Sequence, residues 1–81
     1  MFTVYKKSVG GREHDRYFQK WENAKAALLR DTTDAKRAGW TTHVIDDYFN
    51  SQKGFYVYGI YGVTDKNEPF ALSLIEAYFE D

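Results

Sequence analysis

Cysteine is absent from these 81 residues, and proline and methionine each occur once. Without cysteine there is no disulfide framework and no thiolate metal site, so hydrophobic packing alone must hold the fold, as in a reducing cytoplasm. The opening "MFTVYKKSVGG" places its apolar residues before its lysines and lacks the apolar core of an export signal. No apolar run approaches the roughly 20 residues that span a bilayer. These absences predict a soluble, cytoplasmic chain, complete from Met1 and with no membrane contact. Histidine is scarce as well, with two residues. His43 precedes Asp46 and Asp47, but neither ligand count nor spacing closes a metal site, and His14-Asp15 reads as surface polarity. No cofactor is expected.

Aromatic residues, in contrast, make up 19% of the chain. A domain of this size buries only about 60 to 65% of the surface its unfolded chain exposes, so the core must be efficient and some rings must lie near water. The formal charge of -1 also hides an asymmetry. Residues 1–30 carry Lys6, Lys7, Arg12, Arg16, Lys20, Lys25 and Arg30 against Glu13, Asp15 and Glu22, a net +4. Residues 31–81 carry Lys36, Arg37, Lys53 and Lys66 against Asp31, Asp34, Asp46, Asp47, Asp65, Glu68, Glu76, Glu80 and Asp81, a net -5. Two such halves folded together can neutralise each other or present a charged surface to a partner.

"FTVYKK" and "HDRYFQ" read as strands joined through Gly10-Gly11, whose positive φ angles suit a tight hairpin. A two-residue turn sets Val4 opposite Tyr17, and a longer loop shifts the register by one and exchanges the faces; both stay open. "KWENAKAALLRDTTDAKRAG" is the strong helical pattern, with Trp21, Ala24, Leu28 and Ala35 near helical spacing and Leu29 beside them. "DTTD" is expected to loosen or bend the helix at residues 31–34, because short polar side chains compete for backbone hydrogen bonds. Gly39 is placed to end it, behind Lys36 and Arg37, which complement the negative pole of the helix.

Beyond Gly39 the period falls to two. "WTTHVIDDYF" and "FYVYGIYGV" read as strands about the turn "NSQKG", and "FALSLIEAYF" follows the turn "TDKNEP". Residues 70–79 also suit a short helix, since Pro69 stands near the start and Leu72, Ile75 and Phe79 fall at helical spacing. Pairing favours a strand. With Lys66 and Asn67 at the tip, Val63 opposes Phe70, Tyr61 opposes Leu72, Gly59 opposes Leu74 and Val57 opposes Glu76, which makes one face almost wholly apolar. The expectation is one α+β domain over residues 1–81 in the order β-β-α-β-β-β, with one helix on one face of a roughly five-stranded antiparallel sheet.

In this register Phe55, Val57, Tyr61 and Val63 point inward, while Tyr56, Tyr58 and Ile60 take the other face. A helix about 10 Å across covers about two strands, so part of that second set is expected to be exposed. Continuity of that face with Trp40 or Tyr48 would strengthen a role in partner contact. Gly54, Gly59 and Gly62 do not form a phosphate loop, since no helix or lysine-serine pair follows them. Gly59 is read instead as room for a ring such as Trp21 or Trp40, or as a bulge.

No catalytic constellation is present in the sequence, and an enzyme is not expected. The leading expectation is a small binding protein that acts through protein contacts. Tyr56, Tyr58, Ile60 and Tyr48 supply contact area, and Asp46, Asp47, Glu76, Glu80 and Asp81 steer the chain toward a basic protein surface. A phage or mobile-element inhibitor of a host nucleic-acid-targeting nuclease would fit this size and composition, although no motif carries that setting. Two alternatives stand beside it. One is a structural homodimer. The other is a small nucleic-acid-binding module using Lys6, Lys7, Arg12, Arg16 and Lys20 of the N-terminal hairpin.

Overall fold

A computed structural model describes residues 2–50 and 55–77, with the backbone alone at 44–50, 55–57 and 77. The chain runs β1 (Phe2–Val9), β2 (Arg12–Phe18), α1 (Trp21–Arg37), β3 (Thr41–Asn50), β4 (Phe55–Val63) and β5 (Pro69–Ala77). The five strands form one antiparallel sheet in the order β2-β1-β5-β4-β3. This is the α+β domain that the patterning predicts, and residues 70–77 are strand.

The connection from β2 to β3 joins opposite edges of the sheet, so it must cross the full width. Four strand spacings of about 4.8 Å come to roughly 19 Å, and a helix of 17 residues is about 25 Å long. One helix therefore spans the gap. Its buried side consists of Ala24, Ala27, Leu28, Thr32 and Ala35, where three alanines let the helix axis sit close to the strands. Leu29 lies outside that stripe and is exposed.

The helix does not break at "DTTD". The Thr32 hydroxyl donates to the Leu28 carbonyl at 2.8 Å and the Thr33 hydroxyl to the Leu29 carbonyl at 3.1 Å, so both polar side chains are engaged inside the helix. The C-terminus closes as the sequence predicts. Gly39 has φ +83°, its N–H donates to the Lys36 carbonyl, and the N–H of Trp40 reaches back to the Ala35 carbonyl, the paired bonds of a Schellman end. The second bond directs Trp40 toward the core.

The β1–β2 and β4–β5 hairpins resolve their registers by turn chemistry. Gly10 and Gly11 both have positive φ, and the two-residue turn sets Val4 opposite Tyr17. At the second hairpin the tip is three residues long. Thr64 donates its N–H to the Glu68 carbonyl at 2.8 Å, its hydroxyl oxygen accepts from the N–H groups of Lys66 and Glu68, and Asn67 adopts a left-handed φ of 62°. Ile60 consequently opposes Leu72, Tyr58 opposes Leu74 and Gly62 opposes Phe70.

That register is one residue away from the expected pairing, and it exchanges the faces of β4. Ile60 and Tyr58 lie under the helix, whereas Tyr61 and Val63 point to the other side. The physical reason is that "FYVYGIYGV" is apolar on both faces, so its pattern does not specify which one is buried. The turn does.

The core lies between α1 and the central strands: Tyr5, Ala24, Leu28, Ile60, Phe70, Leu72 and Leu74, closed at one end by the tilted contact of Trp40 on Phe70. Close approach at this end requires a glycine at position 62, because a Cβ there would collide with the Thr41 carbonyl oxygen and press on the Phe70 ring. Space for the Phe70 ring is thus left by Gly62. The expected position, Gly59, faces the opposite side, where its nearest neighbours are the Leu72 carbonyl and Ser73.

Candidate functional site

Alternation along paired strands gives the sheet two unlike faces. The helix side carries Thr3, Tyr5, Lys7 and Val9 of β1, Phe70, Leu72, Leu74 and Glu76 of β5, and Tyr58, Ile60 and Gly62 of β4. The other side, which no described element covers, carries Phe2, Val4, Ser8, Ala71, Ser73, Ile75, Tyr61 and Val63. Tyr17 of β2 and His43 of β3 complete it at the two edges.

This uncovered side holds the exposed rings. Tyr17 retains 69% of its accessible surface and Tyr61 retains 48%. Tyr17 packs against Phe2 with ring centres 6.1 Å apart, and together with Phe18 and Gln19 they line a shallow apolar pocket of about 330 Å³. At the diagonally opposite corner His43 lies against Tyr61 at 5.3 Å. Among the described residues the face's charges are confined to the β1–β2 hairpin, where Lys6 and Asp15 oppose each other at 3.8 Å and Glu13 follows. The three inner strands otherwise present only apolar, small or hydroxyl side chains.

The residues predicted for protein contact do not gather here. Ile60 is buried at 2% exposure, and Tyr58 is half-buried against the core, with the Lys25 ammonium 4.7 Å above its ring. Glu76 stands opposite Thr3 on the helix side. Trp40 turns inward onto Phe70. Asp46 and Asp47 fall in the bulge between Ile45 and Tyr48, and Tyr56 follows on β4; the side chains of Asp46, Asp47, Tyr48 and Tyr56, like Glu80 and Asp81 entirely, lie outside the described residues. The rings that alternation does expose, Tyr17 and Tyr61, were legible as strand residues but not as a pair, because they are brought to one face only by the register of β4 on β5.

The basic N-terminal set divides in the same way. Lys7, Arg12 and Arg16 lie on the helix side, joined by His14, while Lys6 projects from the uncovered face and Lys20 forms the N-cap position of α1. Between the strip and the helix, Asp31 accepts a hydrogen bond from the Tyr5 hydroxyl at 2.6 Å and lies 4.0 Å from the Lys7 ammonium. Burial, then the hydrogen bond to Asp31 and the carboxylate charge, pushes the Tyr5 phenol well above its ordinary range, with the positive charge of Arg16 opposing the shift. Tyr5 is therefore a neutral donor that joins α1 to β1.

Among the described residues no group of three or more histidine, aspartate and glutamate side chains is placed to hold a metal ion, and no helix is long and apolar enough to cross a membrane. Comparison of the chain with protein-family models, with curated proteins and with solved structures gives no match.

Proposed function

We propose that the chain is a non-enzymatic protein-binding domain whose contact surface is the uncovered face of its sheet. One observation carries this reading: Phe2, Val4, Tyr17, Tyr61, Val63 and Ile75 share a face that no described element covers and whose described charges are restricted to one hairpin. Exposed tyrosines give large contact area at low entropic cost, and uncharged centres with charged rims are the usual anatomy of protein interfaces. About seven paired residues on each of five strands give a face of roughly 24 by 24 Å. Two surfaces of that size bury on the order of 1,200 Å² together, the lower bound of specific interfaces. The partner is accordingly a protein with a flat apolar patch, or a second copy of this chain.

The test is sedimentation and chemical crosslinking of the full chain and of a Tyr61→Glu, Ile75→Ser variant, alone and with source-cell extract. The wild type is expected to form a defined complex that the variant loses while keeping its circular dichroism spectrum. Equal recovery of the complex by both proteins would remove the uncovered face from the reading, and a strictly monomeric wild type without partner would remove the reading itself.

A further inference from the structure

A second surface, on the helix side of β2, is built for a different chemistry. Alternation sorts the charges of this edge strand: Arg12, His14 and Arg16 project to the helix side, and Glu13, Asp15 and Tyr17 to the other. The helix packs on the central strands and reaches β2 at its Phe18 end, and it leaves Arg12, His14 and Arg16 exposed. Same-face neighbours on a strand lie about 6.8 Å apart, which spreads Arg12, His14 and Arg16 over roughly 14 Å in a line.

At the hairpin end this line opens into a depression of about 660 Å³, where Lys7, Arg12 and His14 meet Lys66 from the β4–β5 turn above Val9, with Glu68 as its acid. The two turns are held together by the Gly10 N–H, which donates to the Pro69 carbonyl at 2.9 Å. Lys66 is thereby kept beside the strip. Asp31, the nearest helix acid, is already engaged by Tyr5 and Lys7. Among the described residues Arg12, Arg16 and Lys66 form no ion pair, although the Arg16 guanidinium lies 5.0 Å over the Phe18 ring.

We propose that Arg12, Arg16 and Lys66 form a sequence-independent binding track for the phosphate backbone of a nucleic-acid duplex. Planar guanidinium groups match phosphate oxygens two at a time, and a straight row of cations matches a regular row of phosphates. Single strands are the poorer fit, because they need free aromatic platforms. Phe18 lies under Arg16 and Tyr5 is buried, so neither of these two rings beside the track is free for a base. The acidic residues of β2 do not oppose the ligand, since they point through the sheet to the other face.

The experiment is fluorescence anisotropy with a labelled random-sequence 30-base-pair DNA at 50 to 200 mM salt, with poly-glutamate as competitor. Three phosphate contacts give a slope of about -2.7 in log affinity against log salt, which is a loss of about 40-fold across that range. The Arg12→Ser, Arg16→Ser variant is expected to lower the slope to about -0.9, a loss of about 3.5-fold across the same range. Lys36→Ser, Arg37→Ser, which removes the same charge from the helix end, should leave the steep slope in place. Both variants change exposed side chains, and circular dichroism verifies that they fold. The proposal is overturned by absence of binding at 50 mM salt with 100 μM protein (a concentration of the order at which non-specific complexes form), by an unchanged slope in the Arg12→Ser, Arg16→Ser variant, or by poly-glutamate displacing the duplex at equal charge concentration, which would identify an acidic protein as the ligand.

Discussion

The two faces of this sheet are built from alternate residues of the same strands, yet they differ in almost every physical respect. Tyr5, Ile60, Phe70, Leu72 and Leu74 all keep 3% or less of their accessible surface beneath α1, whereas Tyr61, one residue from Ile60, keeps 48%. Adjacent positions on one strand thus carry unrelated tasks. Stability is concentrated on the covered face, where side chains are close-packed and a lost methylene leaves a cavity. The uncovered face contributes less to folding and is free to be specified by what it touches.

The largest test of this contrast is Leu74→Ala, which should cost about 3 to 4 kcal/mol in urea unfolding, against less than about 1.5 kcal/mol for Ile75→Ala on the next residue. Similar losses at the two positions would mean that the open side also belongs to the core. Glycine substitutions on β4 offer a second comparison. Gly62→Ala drives a methyl group into the Thr41 carbonyl and Phe70 and should cost on the order of 3 kcal/mol, whereas Gly59→Ala, which meets the Leu72 carbonyl at 3.1 Å, should cost about 1 kcal/mol.

Tyr5→Phe sharpens the covered side by removing the hydrogen bond from the Tyr5 hydroxyl to Asp31. The expected loss is about 1 to 1.5 kcal/mol near neutral pH, measured by chemical denaturation. The pH dependence has a definite sign. A phenol whose folded value is raised contributes stability that is complete below its unfolded value of 10.0 and is lost as the pH rises above it. The wild type should therefore lose up to about 1.4 kcal/mol per pH unit from this group above pH 10, and Tyr5→Phe should lack that component.

Asn67→Ala tests the device that chooses between the faces. Its left-handed φ of 62° suits asparagine and glycine, so alanine should cost about 1 kcal/mol and Asn67→Gly close to nothing. The smallest stability effect is expected for Tyr61→Ser, within about 0.5 kcal/mol, with the loss appearing in partner capture instead.

Much of this architecture is legible in the residues themselves. Gly10-Gly11 marks a hairpin turn without setting its length, the Ala24, Leu28 and Ala35 spacing points to an amphipathic helix, and Gly39 marks its end. The charge sorting of β2 is also readable by alternation, as "REHDR" places acids and bases on opposite sides of any strand. The contact surface is a different matter. Tyr58 and Ile60 read as well outward as inward, because β4 is apolar on both faces and either register buries a plausible set. Helix continuity through "DTTD" was illegible for a related reason: Thr32 and Thr33 find carbonyl partners within the helix, and the packing of α1 holds them there.

The sequence alone pointed to the element order, to the amphipathic helix with its glycine end and to a glycine turn between β1 and β2, since these depend on periodicity and on the φ angles that glycine permits; the two-residue length of that turn and strand rather than helix at residues 70–77 came from the structure. Only the tertiary structure decided which rings are core and which are surface. A slip of one residue at the Asp65–Asn67 turn exchanges the faces of β4, and it is the three-residue closure on Thr64, together with a helix that meets β2 only near Phe18, that sets Ile60 in the core, Tyr61 at the surface and the Arg12–Arg16 strip in the open.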